Sequence, residues 1–211
     1  MRVLVLLLAG CALFYLFPQI DLWFSALFYK GGFYLKDTLL AKTIYKATIW
    51  ITTSFAMGAL LLLILEWLLK KEWVAKKVLA YLLLVLFLGP GLIVNVLLKN
   101  HFGRARPSQI EAFGGTKHFT PALMITNQCQ KNCSFSSGHA AAAFYFLAFL
   151  PLLRGRAKRF ALLAALTWGS LVGMVRIVQG GHFLSDVYGS AVVVWGVSVL
   201  LYYLMFERKM V

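Results

Sequence analysis

Acidic residues are scarce in this chain: 7 of 211 positions, against 21 Lys and Arg, which leaves a net charge of +14. Charged residues of both signs together make up only 13%. A basic balance can serve nucleic acid, anionic lipid or an anionic substrate. Here the basic residues sit at the ends of apolar runs and inside short motifs, not in one stripe, which sets nucleic acid aside. Cysteine is nearly missing, with three residues. Cys11 lies inside an apolar run and reads as inert packing. Cys129 and Cys133 flank Gln130-Lys131-Asn132 in a polar stretch. Two cysteines are too few for a zinc site, which takes four ligands or three plus water. In an oxidising compartment the pair can close a disulfide; otherwise they are two free thiols. No internal repeat or low-complexity tract is present, which removes repeat architectures.

Apolar residues, by contrast, are abundant. The chain is 61% hydrophobic, with a mean hydropathy of +0.80, where soluble domains run about 45–50% apolar. The long runs predict an all-α polytopic membrane protein, one domain over residues 1–211, with six transmembrane helices. Met1-Arg2 ahead of Val3–Phe17 resembles a signal peptide, and Leu8-Ala9-Gly10-Cys11 a lipoprotein cleavage box. The apolar run continues past Cys11, so it reads as an uncleaved first span, short against the ~20 residues a span needs. Residues 19–46 mix apolar anchors with Lys30, Lys36, Asp37, Lys42 and Lys46, and read as amphipathic pieces at a membrane interface or as a plain loop.

The second span is expected over Ala47–Leu69. Lys70, Lys71, Lys76 and Lys77 follow, beside Trp67 and Trp73, which suit an interfacial belt. The third, Val78–Leu98, carries Gly89-Pro90-Gly91 and should kink there. The fourth is centred on Ala140–Leu153. After Arg154, Arg156, Lys158 and Arg159, the fifth runs over Ala161–Val178 and the sixth over His182–Phe206. Six spans put both basic connections and Arg2, Arg208 and Lys209 on one side. These connections are short, where the positive-inside rule works best. The long polar segment between the third and fourth spans then faces away from the cytoplasm.

That segment opens on Lys99-Asn-His-Phe-Gly-Arg104-Ala-Arg106-Pro107 and closes on Ser136-Ser137-Gly138-His139. Three cations within eight residues suit a phosphate: arginine offers a planar fork and lysine a point charge. Lys99 and Arg106 would share a face of a continuous helix, with the helix ending near Arg106 ahead of Pro107. The plain alternative for any one of them is a snorkelling span end. Ser137-Gly138-His139 precedes an apolar run, where free N–H groups of a new helix attract an anion. Ser137 can cap that helix and Gly138 lets backbone approach closely. Farther on, Arg176 is followed by His182 and Asp186, four apart and so on one helical face. A carboxylate holding one imidazole nitrogen leaves the other as nucleophile or base; the alternative is a structural pair. His101 and His118 read as surface residues.

Together these segments resemble the three signature motifs of the type 2 phosphatidic acid phosphatase (PAP2) superfamily. The first is Lys-(six)-Arg-Pro, at Lys99 to Pro107. The second is Pro-Ser-Gly-His, with Ser136 in place of Pro. The third is Ser-Arg-(five)-His-(three)-Asp, with Val175 in place of Ser. The resemblance implies that His182 attacks phosphorus and forms a phosphohistidine, oriented by Asp186. His139 then protonates the leaving oxygen and activates water. Lys99, Arg106, Arg176, Ser137 and Gly138 would hold the phosphate oxygens, with Arg104 as an extra cation behind them and no metal or other cofactor. The family acts on phosphatidic acid, phosphatidylglycerophosphate, polyprenyl diphosphates and lipid A. The stretch from Phe113 through Cys129 and Cys133 is similar to its bacterial lipid A phosphatase branch. The implied setting is the bacterial inner membrane, with the site facing the periplasm and a membrane lipid phosphate as substrate. Undecaprenyl diphosphate and phosphatidylglycerophosphate are the alternative substrates, phosphoryl transfer the alternative reaction, and a non-catalytic lipid-phosphate binder or transporter the alternative class.

Overall fold

In a computed structural model, residues 2–207 are described, with side chains from residue 5 onward. Of the charges counted above, Arg208 and Lys209 lie outside the described residues, and the Arg2 side chain outside the described side chains. Among the described residues the chain is helical, without strands. Helix α1 is Arg2–Leu16 and α2 is Gln19–Ala26. The two meet at an angle of 82°, because Pro18 caps α2 and has no N–H to carry the ladder through. Helix α3 is Leu39–Leu69 and α4 is Lys76–His101. Helix α5 is Gly138–Leu152, α6 is Gly155–Val178 and α7 is Leu184–Glu207.

The expected six spans are not all there. Four helices, α3, α4, α6 and α7, are long and apolar enough to cross a bilayer, and the bent α1–α2 pair makes a fifth only if it counts as one span. The apolar helix α5, where the fourth span is expected, is shorter than these: its Gly138–Phe144 part is α-helical and Tyr145–Leu152 is 3₁₀, ending around Pro151. It is the helix the others surround. Ala140, Ala141, Ala143, Tyr145 and Ala148 are fully buried. Four consecutive alanines let neighbouring backbones come close, and Phe144, Leu147 and Leu150 pack with Val94 of α4, Ala165 and Ile177 of α6 and Val187 and Val194 of α7. Tyr81 on α4 ties this core with two bonds, donating to the carbonyls of Ala148 (2.9 Å) and Ser198 (3.1 Å).

Two further boundaries move. Helix α3 starts at Leu39, eight residues before the expected span, because Thr38 caps it by accepting from the Ala41 N–H. Lys42 and Lys46 therefore stand on its first turns, not on interfacial pieces. In α4 the Gly-Pro-Gly stretch does not stop the helix. The backbone from Phe87 to Leu98 winds as a π-helix through Pro90, and Asn95 Nδ2 donates to the Pro90 carbonyl at 2.8 Å.

The α3–α4 connection is held by Glu66, fully buried near the end of α3. Its Oε1 accepts from the N–H groups of Trp73 (2.9 Å) and Val74 (2.7 Å), donors that the start of the next helix would otherwise leave open. Replacing Glu66 by Ala strands both. Glu66→Ala should lower stability by about 1–3 kcal/mol, read as an earlier thermal transition in detergent, and Glu66→Gln, which keeps an acceptor, should lose less.

Candidate active site

The three motifs meet at one end of the bundle. Helix α4 ends at His101, so Lys99 and Arg106 do not share a helix as expected. Gly103 turns the chain with φ +63°, and a Cβ there would sit 1.7 Å from the Thr126 carbonyl oxygen; only glycine fits. Arg106 is extended ahead of Pro107 (φ −81°, ψ 157°). The segment before α5 then runs back along this stretch. Cys133 N–H donates to the Lys99 carbonyl (3.2 Å) and Ser134 N–H to the Arg104 carbonyl (2.8 Å). Cys129 and Cys133 are bonded as a disulfide. Asn132, inside the loop it closes, anchors both cations: Lys99 Nζ donates to its side-chain oxygen (3.3 Å) and Arg106 to its carbonyl (2.8 Å).

Ser137 caps α5, its hydroxyl accepting from Ala140 N–H at 3.4 Å. Gly138 lies hard against the cationic end of α4: a Cβ there would be 2.3 Å from Asn95 Oδ1 and 3.1 Å from Lys99 Nζ. His139 stacks on Tyr45 of α3, ring centres 3.9 Å apart and 24° from parallel. The Arg176 guanidinium sits 4.9 Å from the same Tyr45 ring and also bonds Gln179. Among the described residues, His139 Nε2 and Arg176 Nε are buried without a hydrogen-bond partner, so both retain unused polar capacity.

His182 and Asp186 are placed differently from the expectation of a shared helical face. His182 lies before α7, and Asp186 is its third residue, accepting the Phe183 N–H through Oδ2 (2.8 Å) as a capping box does. The acceptor for His182 Nδ1 is the Ser134 carbonyl at 2.7 Å; Asp186 Oδ2 stands at 3.6 Å, too far for a hydrogen bond. Asp186 acts on the imidazole as a nearby charge, and through Ser134, whose hydroxyl donates to its Oδ2 (2.5 Å). A proton on Nδ1 leaves the Nε2 lone pair free. The ring is 1% exposed. Burial pushes its pKa down to about 4; Asp186 opposes this, and the charges of Arg176 and Lys99 add to it. His182 is therefore neutral at pH 7. Burial also pulls Arg106 below the ordinary arginine value.

Arg104 does not join the other cations. It is 1% exposed and donates to Asp186 Oδ1 (2.6 Å), Asp21 Oδ2 (2.8 Å), Ser185 Oγ (2.8 Å) and the Thr120 carbonyl (2.9 Å). Its guanidinium faces the Phe183 ring at 4.3 Å. Asp21 of α2, fully buried, also accepts from the Ser185 N–H (2.9 Å). Sequence reasoning does not single out Asp21, Tyr45, Asn132 or Ser134. Only Asp21 leaves a trace there, as an acid within the apolar stretch Ile20–Phe24. His101 bonds the Leu97 carbonyl and His118 pairs with Glu111 at 3.1 Å, both on the exposed surface.

Beyond the buried groups, Arg106 and Arg176 line an open cleft of about 310 Å³ together with Lys36, Lys42 and Lys46. A helical protein with four bilayer-length apolar helices, carrying a cationic cleft near a neutral histidine and a buried carboxylate, is the class these features define. The PAP2 superfamily matches residues 78–210, and the chain belongs to that superfamily. It is 36% identical over 205 residues to a lipid A 4′-phosphatase of Francisella tularensis subsp. novicida, covering 93% of this chain and 90% of that one. A lipid A 4′-phosphatase of Rhizobium leguminosarum is 34% identical over 207 residues, 83% of each chain. A lipid A 1-phosphatase of Rhizobium etli is 38% identical over 97 residues, 46% of this chain and 38% of that one. No solved structure matches the chain significantly.

Two outcomes follow from this geometry. Asp21→Ala removes one of the two carboxylates on a buried guanidinium, and should cost about 3–5 kcal/mol, measured by thermal denaturation in detergent. For His182, the unfolded chain titrates near 6.5 and the folded one near 4. Between these values the unfolded state holds more protons, so stability is full above pH 6.5 and is lost as pH falls toward 4. His182→Gln should flatten that dependence; a difference between the two proteins that does not change with pH would contradict the neutral, buried imidazole.

Proposed function

We propose that this protein is a lipid A phosphatase, a phosphoric monoester hydrolase acting on the 4′-phosphate. The observation that carries the chemistry is His182. Its Nδ1 is committed to the Ser134 carbonyl, so Nε2 carries a lone pair among cations, where a phosphate would be drawn. A pure binder would need the cations but not this histidine. The substrate rests on the relatives: those named lipid A 4′-phosphatase match over most of the chain, those named lipid A 1-phosphatase over less than half.

The steps use this chain's own residues. Lys99, Arg106 and Arg176, with Ser137 and the N–H groups at the start of α5 around Gly138, hold the phosphate oxygens. The negative charge of the bound phosphate offsets the cations beside His139 and lets that ring hold a proton. His182 Nε2 attacks phosphorus, the bond to the sugar oxygen breaks, and that oxygen takes the proton from His139. The result is a phosphohistidine and a free hydroxyl. His139, now neutral, removes a proton from water as its oxygen attacks phosphorus. The P–N bond breaks, inorganic phosphate leaves, and His139 regains its proton. Asp186 stabilises the positive charge that develops on His182, and Arg104, pinned by Asp21, holds Asp186 in place. No step uses a metal.

The site faces the periplasm of the bacterial inner membrane in this reading. The short connections at the other ends of the helices carry Lys70, Lys71, Lys76 and Lys77, and Arg154, Arg156, Lys158 and Arg159, which favours a cytoplasmic position for them. The Cys129–Cys133 disulfide at the site end suits an oxidising compartment.

Detergent-purified protein should release inorganic phosphate from lipid A in the presence of EDTA, and not from undecaprenyl diphosphate, phosphatidylglycerophosphate or phosphatidic acid. His182→Ala should abolish release, and His139→Ala should lower kcat by about 10²–10⁴-fold. Quenching wild-type turnover of 4′-³²P-labelled lipid A should trap protein-bound, acid-labile phosphate. Full activity in His182→Ala protein, or restoration of activity only by added metal, would overturn the mechanism.

A further inference from the structure

The proposed reaction uses two of the cations that line the cleft, Arg106 and Arg176, and leaves three unexplained. These are Lys36, from the α2–α3 connection, and Lys42 and Lys46, four residues apart on the first turns of α3. Tyr45 between them stacks on His139 and meets Arg176, so this stretch of α3 is docked against the site and not merely near it. The lysines line the cleft together with Arg106 and Arg176, and the one acid lining the space is Asp37. Asp37 pairs with Lys42 at 2.9 Å, but both side chains are mostly exposed. An exposed pair of this kind contributes about 0.2–1 kcal/mol, so an arriving anion can take Lys42 from it. Five cations are more than a single phosphate can use. Just beyond, Leu39 and Leu40 are 82% and 70% exposed, apolar side chains open to a lipid's own apolar part.

We propose that Lys36, Lys42 and Lys46 form a second anion subsite. It takes a second phosphate carried by the same glycolipid headgroup whose first phosphate meets His182. This rests on the lipid A reading, and the relatives' names place phosphates at two positions, 1 and 4′. Substrate choice then follows from the headgroup bridging both sets of cations: a lipid with one phosphate engages only one of them. The lysines lie outside residues 78–210, so they are a device of this chain's first segment and not of the matched region.

The test compares hydrolysis of a bis-phosphorylated lipid A with that of its 4′-monophosphorylated counterpart, in a zwitterionic detergent. In Lys36→Ala/Lys42→Ala/Lys46→Ala protein, KM for the bis-phosphorylated lipid should rise roughly ten- to a hundredfold, as expected for lost charge-assisted bonds. KM for the monophosphorylated lipid, and kcat for both, should stay within about twofold. Arginine at the three positions should restore the preference, and Lys70→Ala should leave it unchanged. Equal loss on both lipids, or no loss on either, would overturn the subsite. So would a lysine dependence seen only when an anionic phospholipid is added, since the cluster would then be reading the bilayer. Equilibrium binding of the two lipids to His182→Ala protein, with and without the lysine changes, needs no turnover. If wild-type protein releases no phosphate but this binding preference persists, the hydrolase reading falls and the subsite stands.

Discussion

A single buried guanidinium organises this end of the molecule. Arg104 is stripped of water, and an arginine in that position is tolerable only with its charge matched and its donors used. Asp21 and Asp186 supply the charge, Ser185 and the Thr120 carbonyl take further donors, and the Phe183 ring covers one face. These partners come from three parts of the chain: α2, the start of α7 and the loop before α5. On His182 the charge of Asp186 works against those of Arg176 and Lys99, so the imidazole sits between opposing fields.

That arrangement divides the work between two stretches of the chain. Residues 78–210, the region matched to the superfamily, bring the groups proposed to touch phosphate. The first 77 residues add Asp21 beneath the site, Tyr45 against His139, and the three lysines that line the cleft. A protein can keep one reaction and change what it acts on by altering the second stretch alone, because binding energy from remote parts of a substrate is supplied separately from the chemistry.

Much of this is legible in the amino-acid sequence, and the reason is local. Helices rich in apolar residues announce themselves by run length, and the residues proposed to hold phosphate cluster because cations, a cap and a glycine work within a few positions of each other. What escapes the sequence depends on contacts between distant segments. That α5 is enclosed by its neighbours is hidden because apolarity does not separate a lipid-facing helix from one enclosed by protein; the alanines at 140–143 are the distinguishing mark. Arg104 reads as one more cation behind the phosphate because its spacing to Arg106 says nothing of Asp21, 83 residues away. The i,i+4 spacing suggests that Asp186 holds His182 directly, whereas the Ser134 carbonyl does so, and a carbonyl has no signature in a sequence. The π-wound stretch of α4 is hidden because proline usually ends or bends a helix, and only the Asn95 bond to the Pro90 carbonyl marks how this one continues.

The ion network also has a consequence for how the protein is made. Asp21 leaves the ribosome with the first helices, Arg104 with the fourth, and Asp186 only with the last. Until α7 arrives, the histidine, its carboxylate and half of the counter-charge for Arg104 do not exist in the membrane. A prematurely terminated chain therefore lacks a complete centre, and insertion of the final helix is the event that closes the ion network around Arg104.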